Sequence, residues 1–230
     1  MFFKLQKIKT MLQSSTINFL AQLTKNNNKL WFDTNRKKYE EAKADFLQLV
    51  DKTIQLVTTF DNSLIGLEPK KCVFRINRDV RFSKDKSPYK NNMGASFNKG
   101  GKKVQNAGYY LHVEAGKSFL GGGLYMPMPP DLNKIRQEID YNFTEFKKIV
   151  DSKSFKKVFT NGVEGVDYLV RPPKGYDETN SAITYLKMKS FIASVPLTNA
   201  ALTDKKILKT IESTFKQLKP MLDFLNAAIE

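Results

Sequence analysis

The chain has 230 residues, of which 41% are hydrophobic and 12% aromatic, with 38 Lys and Arg against 23 Asp and Glu for a formal net charge of +15. A chain of this size buries roughly 70 to 75% of its unfolded surface, and its single Cys72 excludes an intrachain disulfide and a thiolate cluster within one chain. The positive field suits nucleic acid, nucleotides or anionic surfaces, and it equally suits helices that merely present solvated lysines.

Residues 1–10 read as a basic, poorly ordered lead-in without the apolar run of a secretory signal, and 11–230 as one domain. No stretch of about 18 apolar residues occurs, so a soluble cytoplasmic protein with no membrane contact is expected. Ser14, Ser15 and Thr16 are placed to cap a helix whose Ile17, Leu20 and Leu23 share a face, and Asn26 to Asn28 supply a stop and a new start. Phe32, Tyr39, Ala42, Phe46, Leu49, Thr53, Leu56 and Phe60 then recur at helical spacing.

From Cys72 the period shortens to two. Cys72, Phe74, Ile76, Val80 and Phe82 fall on one parity and Arg75, Asn77, Asp79 and Arg81 on the other, which predicts a strand followed by a loop from Ser83 to Lys90. Arg78 shares the apolar parity and is expected to point inward. Two strands joined as an antiparallel hairpin are predicted at 107–115 and 118–126, then a helix carrying Leu132, Ile135, Ile139, Phe143, Phe146 and Val150. A short helix near 154–160, a rigid Arg171–Tyr176 loop and a strand at 185–195 follow. A terminal helix runs from Ile207 to Ile229, with Pro220 expected to kink it. Strands near the middle of the chain with helices around them predict an α+β domain, a mainly antiparallel sheet with helices packed against it.

The stretch RINRDVRFSKDKSPYK, Arg75 to Lys90, places six basic and two acidic side chains within sixteen residues. Arg75 and Arg81 can grip a phosphate or carboxylate in bidentate fashion, with Lys86 and Lys90 adding charge from the loop and Tyr89 shaping a wall. The competing reading pairs these charges internally, with Arg78 forked onto a carboxylate and with Asp79 and Asp85 fixing the loop.

His112 is the only histidine, which excludes a His-rich zinc site within one chain. It shares a strand parity with Tyr110 and Glu114, so His112 and Glu114 can present a proton-transfer pair on one face, or act as ordinary structural hydrogen-bonders. Gly121, Gly122 and Gly123 match neither phosphate-loop nor dinucleotide patterns and read as close backbone approach. No cofactor is therefore expected. Asp79, Asp85 and Glu114 with Lys86 and Lys117 lack spacing diagnostic of a magnesium site, and no metal is assigned.

Arg75, Arg78, Asp79, Arg81 and Phe82, then Asp85, Lys86, Pro88, Tyr89 and Lys90, resemble the signature of a widespread bacterial family catalogued as domain of unknown function twenty-four sixty-one. The resemblance extends to Phe19, Leu20, Leu23, Asn27, Trp31 and Phe32, to Tyr110, His112, Gly122, Gly123 and Tyr125, and to Pro173 through Tyr176. Family members often carry His-Pro where this chain has Asn180 and Ser181. It implies a single-domain bacterial protein and supplies no activity, so it does not decide whether the chain is an enzyme.

The leading expectation is a cleft, lined by 75–90 and by the hairpin 107–126, that holds a phosphate-bearing small molecule. The alternatives are a non-catalytic nucleic-acid-binding module, and a structural or interaction protein whose charged motif only stabilises the fold. Nothing in the sequence names a protein partner.

Overall fold

The computed structural model describes residues 11–230, so the lead-in expected at 1–10 lies outside the described residues. Three helices open the described chain: α1 (Ser14–Lys25), α2 (Lys29–Thr34) and α3 (Arg36–Val57). Asn28 caps α2 by accepting the Trp31 amide at 2.9 Å. Ser14 to Thr16, expected as caps, instead lie in the first turn of α1, where the Thr16 hydroxyl donates to Asp45 of α3 at 2.6 Å and ties the two helices together.

After a short α4 (Pro69–Cys72), four strands form an antiparallel meander: β1 (Asn92–Phe97), β2 (Gly108–Glu114), β3 (Ser118–Leu124) and β4 (Phe191–Leu197), in that spatial order. Between β3 and β4 come α5 (Pro129–Tyr141), α6 (Phe143–Val150), α7 (Lys153–Val158) and the single turn α8 (Ile183–Leu186). The chain ends with α9 (Asn199–Thr203) and α10 (Ile207–Ile229), which contains Pro220. This is an α+β fold. Among the described residues no helix is long and apolar enough to cross a membrane.

Alternation along β2 separates the two faces of the sheet. Tyr109, Leu111 and Val113 are buried with Phe97, Leu120, Leu124, Phe191 and Ala193, and α10 packs over them through Phe215 and Leu218. The Tyr109 and Phe215 rings stack at 4.8 Å. Gly122 lets α10 approach, since a Cβ there would sit 2.9 Å from Leu218 Cδ1 and 2.7 Å from the Gly108 carbonyl. Tyr109 donates to the buried Asp61 at 2.8 Å, joining the sheet to the turn after α3.

The strand expected over 72–82 does not form. Cys72 closes α4, and 73–90 runs irregularly, touching β1 where Val73 pairs with Ala95 and closing on itself where Asn77 pairs with Tyr89. Phe82, assigned to the inward parity, is 96% exposed. The reason is local: Asp79, Asp85 and Arg78 bond to nearby loop groups and offer the backbone turns in place of a ladder. The late strand also begins six residues beyond its expected start, because 183–186 coils into α8, and it includes Pro196.

Candidate functional site

The face of the sheet opposite α10 carries the other parity of the hairpin and forms a concavity of about 630 Å³. Tyr110, His112 and Phe119 line it, with Gly94, Gly121 and Gly123 in place of side chains around them. The bare position at Gly94 makes room for Tyr110, since a Cβ there would lie 2.4 Å from its hydroxyl oxygen. Phe74, Lys90 and Lys102 line the same concavity beside β1.

The expected His112 and Glu114 pair does meet, with Nε2 and Oε2 3.1 Å apart, and Tyr110 Oη lies 3.2 Å from His112 Nδ1. Burial pushes the Tyr110 phenol up to about 12, so it remains a donor across the physiological range. With that hydroxyl donating to Nδ1, Nε2 carries the hydrogen that Glu114 accepts. The ring also stacks on Phe119 at 4.7 Å and an interplanar angle of 14°. Both imidazole nitrogens are thus engaged by the protein's own groups, which fixes the ring's orientation.

Lys90 is half-buried, its Nζ 5.4 Å from the centre of the Phe74 ring. Burial, then Arg75 and Lys102, hold its pKa below the ordinary lysine value. Lys102 is fixed by donation to the carbonyls of Val73 and Lys70, the second at 3.2 Å. One residue past β1, Asn98 gives its Nδ2 to the Val104 carbonyl at 2.9 Å, while its buried Oδ1 has no hydrogen-bond partner among the described residues.

The rest of the basic stretch is divided among other tasks. Arg78 donates to Asp85, to the Ser87 carbonyl at 3.1 Å and to the Ser83 hydroxyl at 3.3 Å, pinning the loop from inside. Arg81 grips Asp79 through Nε at 3.0 Å and a terminal nitrogen at 2.6 Å, and both side chains are largely exposed. Lys86 donates to the Val80 carbonyl at 3.0 Å. Tyr89 is buried with its ring 3.9 Å from that of Phe32, while Asn27 bonds both its amide and its carbonyl. Arg75 lines a different groove, beside α3. Only Lys90 of this stretch therefore shares the concavity with His112. Among the described residues no three His, Cys, Asp or Glu side chains converge as a metal site. Burial pushes the Cys72 thiol up to about 11, away from thiolate chemistry.

The loop has a testable pH signature. Bonds from the Ser87 hydroxyl and amide, followed by the one from Arg78, bring the Asp85 pKa down to about 2 from an ordinary 3.8. A depressed folded-state value means the contribution is complete above the ordinary value and fades as pH falls through about 2. Asp85→Asn is thus expected to melt below wild type at pH 7, with the gap closing in strong acid. A gap at pH 2 as wide as the one at pH 7 in paired melts assigns the effect to something other than this carboxylate.

Phe74, Lys102 and Asn98 are the site residues that the sequence reading did not single out. Phe74 was assigned to a core parity, yet it is 37% exposed at the edge of the concavity. The available signal for Lys102 was its place after Gly100 and Gly101, a turn pattern between two strands. Asn180, at the position where the resemblance led one to expect His-Pro, donates to Asp140 at 2.7 Å and accepts the Ala182 amide at 2.8 Å.

The family described as conserved hypothetical protein (DUF2461) matches residues 15–224. No curated protein and no solved structure matches the chain.

Proposed function

The chain belongs to this DUF2461 family of conserved hypothetical proteins, and we propose that it binds a small anionic ligand with a planar ring on the open face of its sheet. One observation carries the reading: Lys90 and Lys102, from different loops, line a single concavity of about 630 Å³ together with the rings of Phe74, Tyr110, His112 and Phe119, within the size range of small-molecule sites. In this arrangement Lys90 and Lys102 hold a phosphate, and Phe74 offers a face for the ring. The bonded Tyr110–His112–Glu114 row keeps the floor rigid, so little ordering is left for the ligand to impose. His112 and Glu114 act here by positioning Tyr110.

Calorimetric titration with nucleoside monophosphates tests the reading. Lys90→Ala is expected to weaken binding about tenfold, a 1.4 kcal/mol loss, without lowering the ligand-free melting temperature. Absence of binding at millimolar nucleotide, or binding indifferent to Lys90→Ala, overturns it.

A further inference from the structure

A second groove of about 530 Å³ runs between α3 and the 73–77 segment, and it shares Phe74 and Lys102 with the open-face concavity. Its other polar lining is predominantly cationic. Among the described residues the exposed Arg75 side chain has no hydrogen bond or ion pair, and the Lys70 ammonium likewise has none. Lys43 lies 5.7 Å from the centre of the Tyr39 ring and makes a 3.5 Å contact with Glu40, the one carboxylate among the described residues that lines the groove. Asp79, near enough to feel Arg75, is already gripped by Arg81. The cations of the groove outnumber the carboxylate that lines it and repel one another, and an anion laid among them offsets that cost.

The two grooves are therefore successive basins on either side of one aromatic ring and one fixed lysine. We infer that the Arg75 groove takes a second phosphate of the ligand, so that the substrate class is a nucleoside with phosphates on both sides. This rests on the open-face reading, with the ring at Phe74 and the first phosphate at Lys90 and Lys102. Such a unit exists as a free nucleoside bisphosphate and as each internal residue of a single strand, and the net charge of +15 accommodates either.

The test is titration of wild type, Arg75→Ala and Lys90→Ala with adenosine 5′-monophosphate, adenosine 3′,5′-bisphosphate and a short oligoadenylate, each across a salt series. Wild type is expected to bind the bisphosphate about tenfold more tightly than the monophosphate, with a steeper salt dependence. Arg75→Ala should abolish that ratio by weakening the bisphosphate far more than the monophosphate, whereas Lys90→Ala weakens both nucleotides. Oligoadenylate tighter than the bisphosphate supports the inference with nucleic acid as the source, and equal affinities support it with a free nucleotide. Equal binding of mono- and bisphosphate, or a ratio indifferent to Arg75→Ala, overturns the second subsite and leaves the open-face reading standing. Failure of every nucleotide to bind overturns both.

Discussion

Tyr89→Ala is expected to lower the melting temperature by roughly 10 °C, although Tyr89 sits in a stretch where half the residues are charged. The ring is buried and stacked on Phe32 at 3.9 Å and 15°, and Phe32 in turn packs on Tyr39 with centroids 5.0 Å apart. Truncating a buried aromatic of this kind costs about 3 to 5 kcal/mol through lost transfer energy and the cavity left behind. The two Asn27 bonds to the Tyr89 backbone survive the substitution, so the loss is attributable to the ring. Arg81→Ala, in the same stretch, removes only an exposed pair and is expected to move the melting temperature by less than about 2 °C. Thermal melts of the two variants side by side check the contrast. A Tyr89→Ala protein that melts like wild type but loses nucleotide binding reverses the assignment and makes the ring a ligand contact.

That contrast explains why the basic stretch was hard to read from sequence. Arg75 and Arg81 with Lys86 and Lys90 were expected to share one site, against a competing reading of internal pairing, but the chain doubles back where Asn77 pairs with Tyr89, and the excursion sends its side chains in different directions. Arg78 and Asp85 close the loop, Arg81 and Asp79 face solvent together, and Lys90 alone reaches the sheet. The two-residue period over 72–82 holds only in part, since Cys72 and Ile76 are buried while Phe74 and Phe82 are exposed, and the segment meets β1 through the isolated Val73–Ala95 pair without extending it into a strand. The hairpin was legible because one face of β2 is buried under α10 and the other is not, so parity reports the environment directly. The first strand was invisible for a related reason. Its open-face positions, Gly94 and Ser96, are small, and at Gly94 the space is taken by the Tyr110 hydroxyl, which removes the bulky alternation that marks a strand. Arg136 shows the same limit in a helix. It sits buried beside Ile135 and Ile139, satisfied by the carbonyls of Leu186 at 2.7 Å and Met188 at 3.1 Å, partners fifty residues and more away that local spacing does not foretell.

Gly123→Ala is expected to be the most damaging single methyl that the open face can receive. Gly123 has φ of +132°, a backbone conformation essentially reserved for glycine, and a Cβ built there lies 1.9 Å from the Phe191 carbonyl oxygen and 2.8 Å from the Ile192 Cα. Both obstacles are backbone of β4, directly across the Gly123–Ile192 pair, so they give way only if the two strands part. Strain of about 1 to 3 kcal/mol from the dihedral adds to about 1 to 3 kcal/mol from overpacking, a large fraction of the roughly 5 to 15 kcal/mol that holds a domain together. Gly94→Ala provides the comparison. Its Cβ meets the Tyr110 hydroxyl at 2.4 Å, the far end of a side chain, so the ring can swing aside. The expected result is a folded protein that has lost the Tyr110–His112 bond and binds nucleotide less tightly. Soluble yield and melting temperature of the two variants separate the cases: Gly123→Ala should fail to accumulate or melt at least about 10 °C low, and Gly94→Ala should do neither. If Gly123→Ala instead melts within about 2 °C of wild type, β3 and β4 are not paired in solution through Gly123 and Ile192, and the floor of the proposed site has a different shape.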